Sequence, residues 1–173
     1  MIDRLLALLT NRWARLVLVA LVVGGLQTTL FGDVRPFGTV VQFALLYAAL
    51  AGAIHGAEVG AIAGFVVGFL YDTALTTPFG LTAAVAALVG AGGGLLPFLV
   101  RDPTWWSISF AAAAATAGGV LLLPMAMIIL GTPSGIGGAV VGLATIAAAV
   151  NLLLSIPMIP AVRWALRDAR LSG

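Results

Sequence analysis

The sequence predicts an all-α integral membrane protein, a single bundle of six transmembrane helices with both termini cytoplasmic. Three observations lead there. Hydrophobic residues fill 62% of the 173 positions and charged residues only 8%, against about 25% charged in a soluble domain, so polar side chains are too few to cover a water-facing surface. The apolar residues form six continuous runs, each near the ~20 helical residues that cross a ~30 Å hydrocarbon core. The arginines collect at one set of run ends.

The runs span residues 14–31, 37–54, 57–77, 80–100, 104–130 and 135–162. They are unbroken rather than alternating, and lipid leaves no backbone group unpaired, so helices are expected rather than a barrel. Ahead of the first run, Ile2, Leu5, Leu6, Leu9 and Trp13 share a helical face while Arg4, Asn11 and Arg15 lie off it. Residues 2–12 are therefore either a helix lying in the inner interface or a cytoplasmic extension of the first span. The first run is longer than a signal core, and Gly32 to Pro36 contains no small-x-small cleavage pattern, so the segment is expected to be retained.

With the N-terminus inside, Arg4, Arg12, Arg15, Arg101, Arg163, Arg167 and Arg170 fall on the cytoplasmic side and Arg35 alone outside. Trp13, Trp105, Trp106 and Trp164 lie beside the inner arginines, where an indole suits the headgroup level. Short loops leave no soluble domain, so any recognition occurs in the membrane, at its rims or through a partner. The absence of Cys excludes thiolate chemistry, and one His makes a histidine metal site a poor reading. A net charge of +2 carried by scattered arginines marks topology rather than nucleic-acid binding.

Asp72 is the most informative residue. It stands about 22 Å up a straight helix that begins at Ala57, in the outer leaflet, where a lipid-facing carboxylate costs at least ~2.5 kcal/mol. It therefore either caps the next helix through the Thr76 to Gly80 turn or makes a direct functional contact; both readings stand. Gly56, Gly60, Gly64 and Gly68 lead to it at four-residue steps, a small-residue stripe that lets backbones approach. Intramolecular packing is the first reading of that stripe and a homo-oligomer contact the second. Weaker series are Ala86, Gly90 and Gly94, and Gly138 with Gly142. Toward the same outer end stand Gln27, Thr28, Thr29, Gln42, Thr73, Thr76, Thr77 and Thr82, of which only the glutamines need partners, because a threonine hydroxyl bonds back to its own helix.

In the inner half, Asn151 is expected to hydrogen-bond between helices. His55 and Glu58 flank an inner turn and read as solvated groups. Pro124, Pro157 and Pro160 predict kinks. The serines have no companion His at suitable depth, so neither a nucleophile-and-base pair nor a cofactor site can be assembled.

The run from Gly60 to Gly94, GAIAGFVVGFLYDTALTTPFGLTAAVAALVGAGGG, resembles the signature region of the rod shape-determining protein MreD family. The resemblance lies in a glycine-rich third helix ending in Gly68-x-x-x-Asp72, a Pro78-x-Gly80 turn and a small-residue fourth helix; Leu26 to Leu30 and Val34 to Pro36 add to it. It covers about residues 20 to 95 and is compositional thereafter. It implies a non-enzymatic scaffold of the bacterial cell elongation machinery in the plasma membrane. The implied partners are the bitopic protein MreC and, indirectly, the MreB filament and a peptidoglycan glycosyltransferase and transpeptidase pair. Asp72, Gln27, Gln42, Gly60, Gly64, Gly68, Pro78 and Gly80 become the structural or partner-binding candidates. The alternative, a substrate-binding subunit of an energy-coupling factor vitamin transporter, resembles the same six-helix architecture. It calls for a dense ligand set in the outer half and a paired small-residue motif on the first helix, where only Ala20-x-x-x-Gly24 stands.

Overall fold

The computed structural model describes residues 11–29, 42–74, 79–131 and 138–167. Of these residues 87% are α-helical and none is in a strand, which makes the fold all-α. The helices are α1 (Arg12–Thr29), α2 (Phe43–His55), α3 (Ala57–Asp72), α4 (Leu81–Gly93), the single turn α5 (Leu96–Leu99), α6 (Trp105–Ile129) and α7 (Gly138–Leu166). Because α4 and α5 together make one stretch, Leu81–Leu99, the described helices form six rods.

Three segments, Leu81–Leu99, Trp105–Ile129 and Val140–Leu166, are long and apolar enough to cross a membrane. Their outward faces carry large apolar side chains, among them Phe98 at 85% exposed, Ile129 at 84% and Leu153 at 70%. Water would penalise such a surface and acyl chains would not, so this is a membrane protein.

The helix ends differ in places from the sequence expectation. The third run, expected to 77, ends as helix at Asp72. The fourth breaks at Gly94 and Leu95, where Gly93 and Gly94 lie against the backbones of Ala49 and Ala57 and Pro97 can only stand near a helix start. The sixth continues to Leu166 with Pro157 and Pro160 inside it. The expected interfacial helix over 2–12 falls almost wholly outside the described residues. So do residues 37–41, the turn from Thr76 to Pro78, and Arg4, Asp33, Arg35 and Arg170.

Helix α2 is the axis of the bundle. Every residue from Phe43 to Ala53 is buried, as expected of a helix apolar on all sides, and it packs against α1, α3, α4, α6 and α7. One residue, Gly56, joins α2 to α3 at φ 94°, a conformation that costs a side-chain-bearing residue dearly.

The closest contact is between α3 and α4. A Cβ added at Gly60 would fall on the Gly90 carbonyl, one at Gly64 on the Ala86 carbonyl, and one at Gly68 at 2.6 Å from the Ala83 Cα. These pairs step in opposite directions, so the helices are antiparallel, with the small residues of both turned inward. Gly52 and Gly93 extend the contact to α2 against Gly90 and Ala49. In lipid, where apolar burial gives little drive, such close approach supplies the dispersion contact that holds helices together.

Replacing Gly64 by Val is expected to destabilise the fold by about 1–3 kcal/mol or more, because Ala86 backbone must move to admit it. Ala at Gly25 or Gly118, where an added Cβ meets nothing within 4 Å, should instead stabilise by about 0.5–1 kcal/mol, the helix-propensity gain of Ala over Gly. Thermal unfolding followed by helical circular dichroism in detergent checks both.

Candidate functional site

The α3–α4 packing brings the last residue of α3 beside the first turn of α4. Asp72 is only 2% exposed there. One carboxylate oxygen, Oδ2, accepts hydrogen bonds from the backbone N–H of Gly80 at 2.9 Å and of Ala83 at 3.1 Å. Gly80 is the N-cap of α4 and Ala83 its third helical residue, so a single atom of a different helix serves both donors that a capping box would satisfy locally. Gly80 has no side chain to do so and sits at φ 92°, where glycine is favoured. The negative charge also faces the positive end of the α4 dipole, a favourable placement of about 0.3–1 kcal/mol. Phe79 closes the turn, packing edge-on against Phe69 with ring centroids 5.1 Å apart and planes at 77°.

Gln27 repeats the device. It is 2% exposed on α1, and its Oε1 accepts from the Ala44 backbone N–H at 3.0 Å, in the first turn of α2. The N-cap of α2 is Gln42, which is half-buried and makes no side-chain cap bond. Two of the helices that start at this end of the bundle, α2 and α4, are thus capped by a neighbour.

The remaining candidates sort by position. Gly60, Gly64 and Gly68 line the α3–α4 contact, and Gly80 forms the cap. Pro78, like Thr76 and Thr77, lies outside the described residues. Thr28 and Thr29 bond back to carbonyls of Gly24 and Gly25, and Thr73 to that of Leu70. At Gly56 a Cβ would meet nothing, but its backbone lies against Gly94, so the stripe reaches it from that side only. His55 and Glu58 are exposed on either side of it, with Glu58 in the first turn of α3.

Asn151 departs from expectation. It is fully buried, yet among the described residues neither its amide oxygen nor its nitrogen has a hydrogen-bond partner. The buried hydroxyls of Thr116 and Ser155 turn instead onto carbonyls of their own helices.

Two features escape sequence reasoning. Tyr47 is buried in α2 and donates its hydroxyl to the Leu16 carbonyl of α1 at 3.1 Å. Arg15, read as a flanking topology charge, is 8% exposed, donates to the Arg167 backbone carbonyl and lies over the Trp164 ring. The only forewarning was that Arg15 stands inside the 14–31 run, at its second position, rather than ahead of it.

The chain matches no family model, no curated protein and no solved structure.

Asn in place of Asp72 retains an acceptor and should cost well under the Leu variant. Asp72→Leu strands two N–H donors at the start of α4 and is expected to cost about 2 kcal/mol or more. Unfolding midpoints of the two variants in the same detergent give the comparison.

Proposed function

We propose that this chain is a non-enzymatic scaffold of the bacterial cell elongation machinery, of the MreD kind, seated in the plasma membrane with both termini cytoplasmic. The observation that carries the reading is the segment behind the sequence resemblance: its small residues are used in one continuous antiparallel contact, and Asp72 closes the end of that contact. The segment is thus a rigid hairpin rather than a pocket wall, as a platform for another transmembrane helix requires.

The capping bonds also bear on the transporter alternative. Of the outer-end polar groups, Gln27 and Asp72 have each committed one oxygen to a helix start, while Asp72 Oδ1 is buried with no hydrogen-bond partner among the described residues. Arg12, Arg15 and Arg167 come together at the opposite end with Leu166 and His55, which supports the cytoplasmic placement of that end. In this reading the partner is an MreC-like bitopic protein, and wall synthases and the actin-like filament are reached through it. Asp72 acts by holding the α3–α4 platform in shape.

Depletion in a rod-shaped host is expected to round the cells, with wild-type chain restoring rods and Gly64→Val failing to. Unchanged rods, with loss of vitamin uptake instead, would overturn the scaffold in favour of the transporter subunit. If the platform role holds, a folded Asp72→Ala variant recovers less of the bitopic partner in a pull-down; wild-type recovery removes Asp72 from the interface. Since the chain has no Cys, a single Ser172→Cys reports topology cleanly. A membrane-impermeant maleimide should label it only after the cells are opened, and labelling of intact cells would reverse the orientation.

A further inference from the structure

Along one flank, α1 and α7 leave an apolar groove of about 270 Å³, its walls including Val19, Val22 and Leu26 of α1 and Met158, Ala161 and Trp164 of α7. Toward the arginine end a second, more polar hollow of about 180 Å³ is lined by Arg12, Trp13, His55 and Leu166. The two follow one another along the same seam. Arg12 precedes Val19 by seven residues, about two turns, and so continues the groove-lining stripe of α1. Leu166 lies one turn beyond Val162, which also lines the groove.

Arg15 lines neither hollow but lies between their lining residues on α1, three positions after Arg12 and four before Val19, and so on the same stripe. Its guanidinium carbon is 5.8 Å from the centre of the Trp164 ring, a wall of the groove, and one of its terminal nitrogens donates to the Arg167 carbonyl. The residue is 8% exposed, yet Nε is buried and has no hydrogen-bond partner among the described residues. A guanidinium is a fork of donors suited to a phosphate, and leaving one buried donor unmet is costly. At about 270 Å³ the groove holds less than one turn of a helix, which is 10–12 Å across with its side chains. It suits an acyl chain, and its cations set the charge of the headgroup.

We infer that the α1–α7 seam binds one anionic phospholipid from the leaflet at the arginine end, an acyl chain lying in the groove and the headgroup phosphate meeting Arg15 and Arg12. This goes beyond the scaffold reading and does not rest on it.

The test reconstitutes the full chain in nanodiscs of equal phosphatidylglycerol and phosphatidylcholine, extracts it in mild detergent and counts retained lipids by native mass spectrometry. Wild type is expected to retain the anionic lipid at least about fivefold over the zwitterionic one, the effect of roughly one arginine near a charged surface. Arg15→Gln, which keeps an N–H for the Arg167 carbonyl, and Arg12→Gln should each reduce that preference by about twofold or more. Ala161→Phe, which fills the groove, should lower retention of both lipids. Millimolar inorganic phosphate should displace neither. Absence of preference in the wild type overturns the proposal, as does displacement by phosphate. Should Arg15→Gln lose its helical signal, Arg12→Gln and Ala161→Phe decide, and unaltered retention in both is equally fatal.

Discussion

Within the hydrocarbon there is no water to accept a stray N–H or to drive apolar surfaces together, so a small helical bundle must both bring backbones close and satisfy the start of each helix internally. The α3–α4 hairpin meets both demands with one arrangement. Glycine and alanine at the contact leave nothing between the two backbones at Gly60 and Gly90 or at Gly64 and Ala86. That closeness sets how far apart the helix ends can be. Only because Gly68 lies against Ala83 does a side chain as short as aspartate, one turn further along α3, reach two amides of α4.

The same logic extends to α2. From Phe43 to Ala53 every residue of α2 is buried, and the residue at its own N-cap makes no side-chain bond to it. Gln27 supplies the missing acceptor from α1, as Asp72 does for α4. The choice of an amide for one and a carboxylate for the other follows the number of donors. Gln27 meets one N–H, whereas Asp72 meets two and adds the attraction of a full charge for a helix dipole. Charge at this end of the span is thus tolerated because it is matched to a fixed positive end rather than to lipid.

Much of this was legible in residue spacing. A glycine every fourth position from Gly56 to Gly68 can mean little except close packing on one helical face, and the weaker Ala86, Gly90, Gly94 series marks its counterpart. What spacing does not carry is which helix meets which, so intramolecular and intermolecular packing read alike until the antiparallel register is seen. Capping across helices is hidden for a related reason. The usual signal is a Ser, Thr, Asp or Asn immediately before the helix, and here the acceptor comes from eight or seventeen residues away. Hydropathy likewise counts Gly93 to Val100 as continuous span, although the contacts of Gly93 and Gly94 and the missing N–H of Pro97 end one helix and begin another.

The two ends of the bundle are chemically unlike, and that asymmetry bears on what the molecule does. At the end where α2 and α4 begin, the polar side chains turn inward onto backbone and stiffen the core. At the other end Arg12, Arg15 and Arg167 gather around Trp13 and Trp164 at the rim, with the guanidinium of Arg12 4.9 Å from the centre of the Trp13 ring. The bonds from Gln27 and Asp72 stiffen the interior and the arginines and tryptophans form a polar rim, the two properties that the proposed scaffold requires.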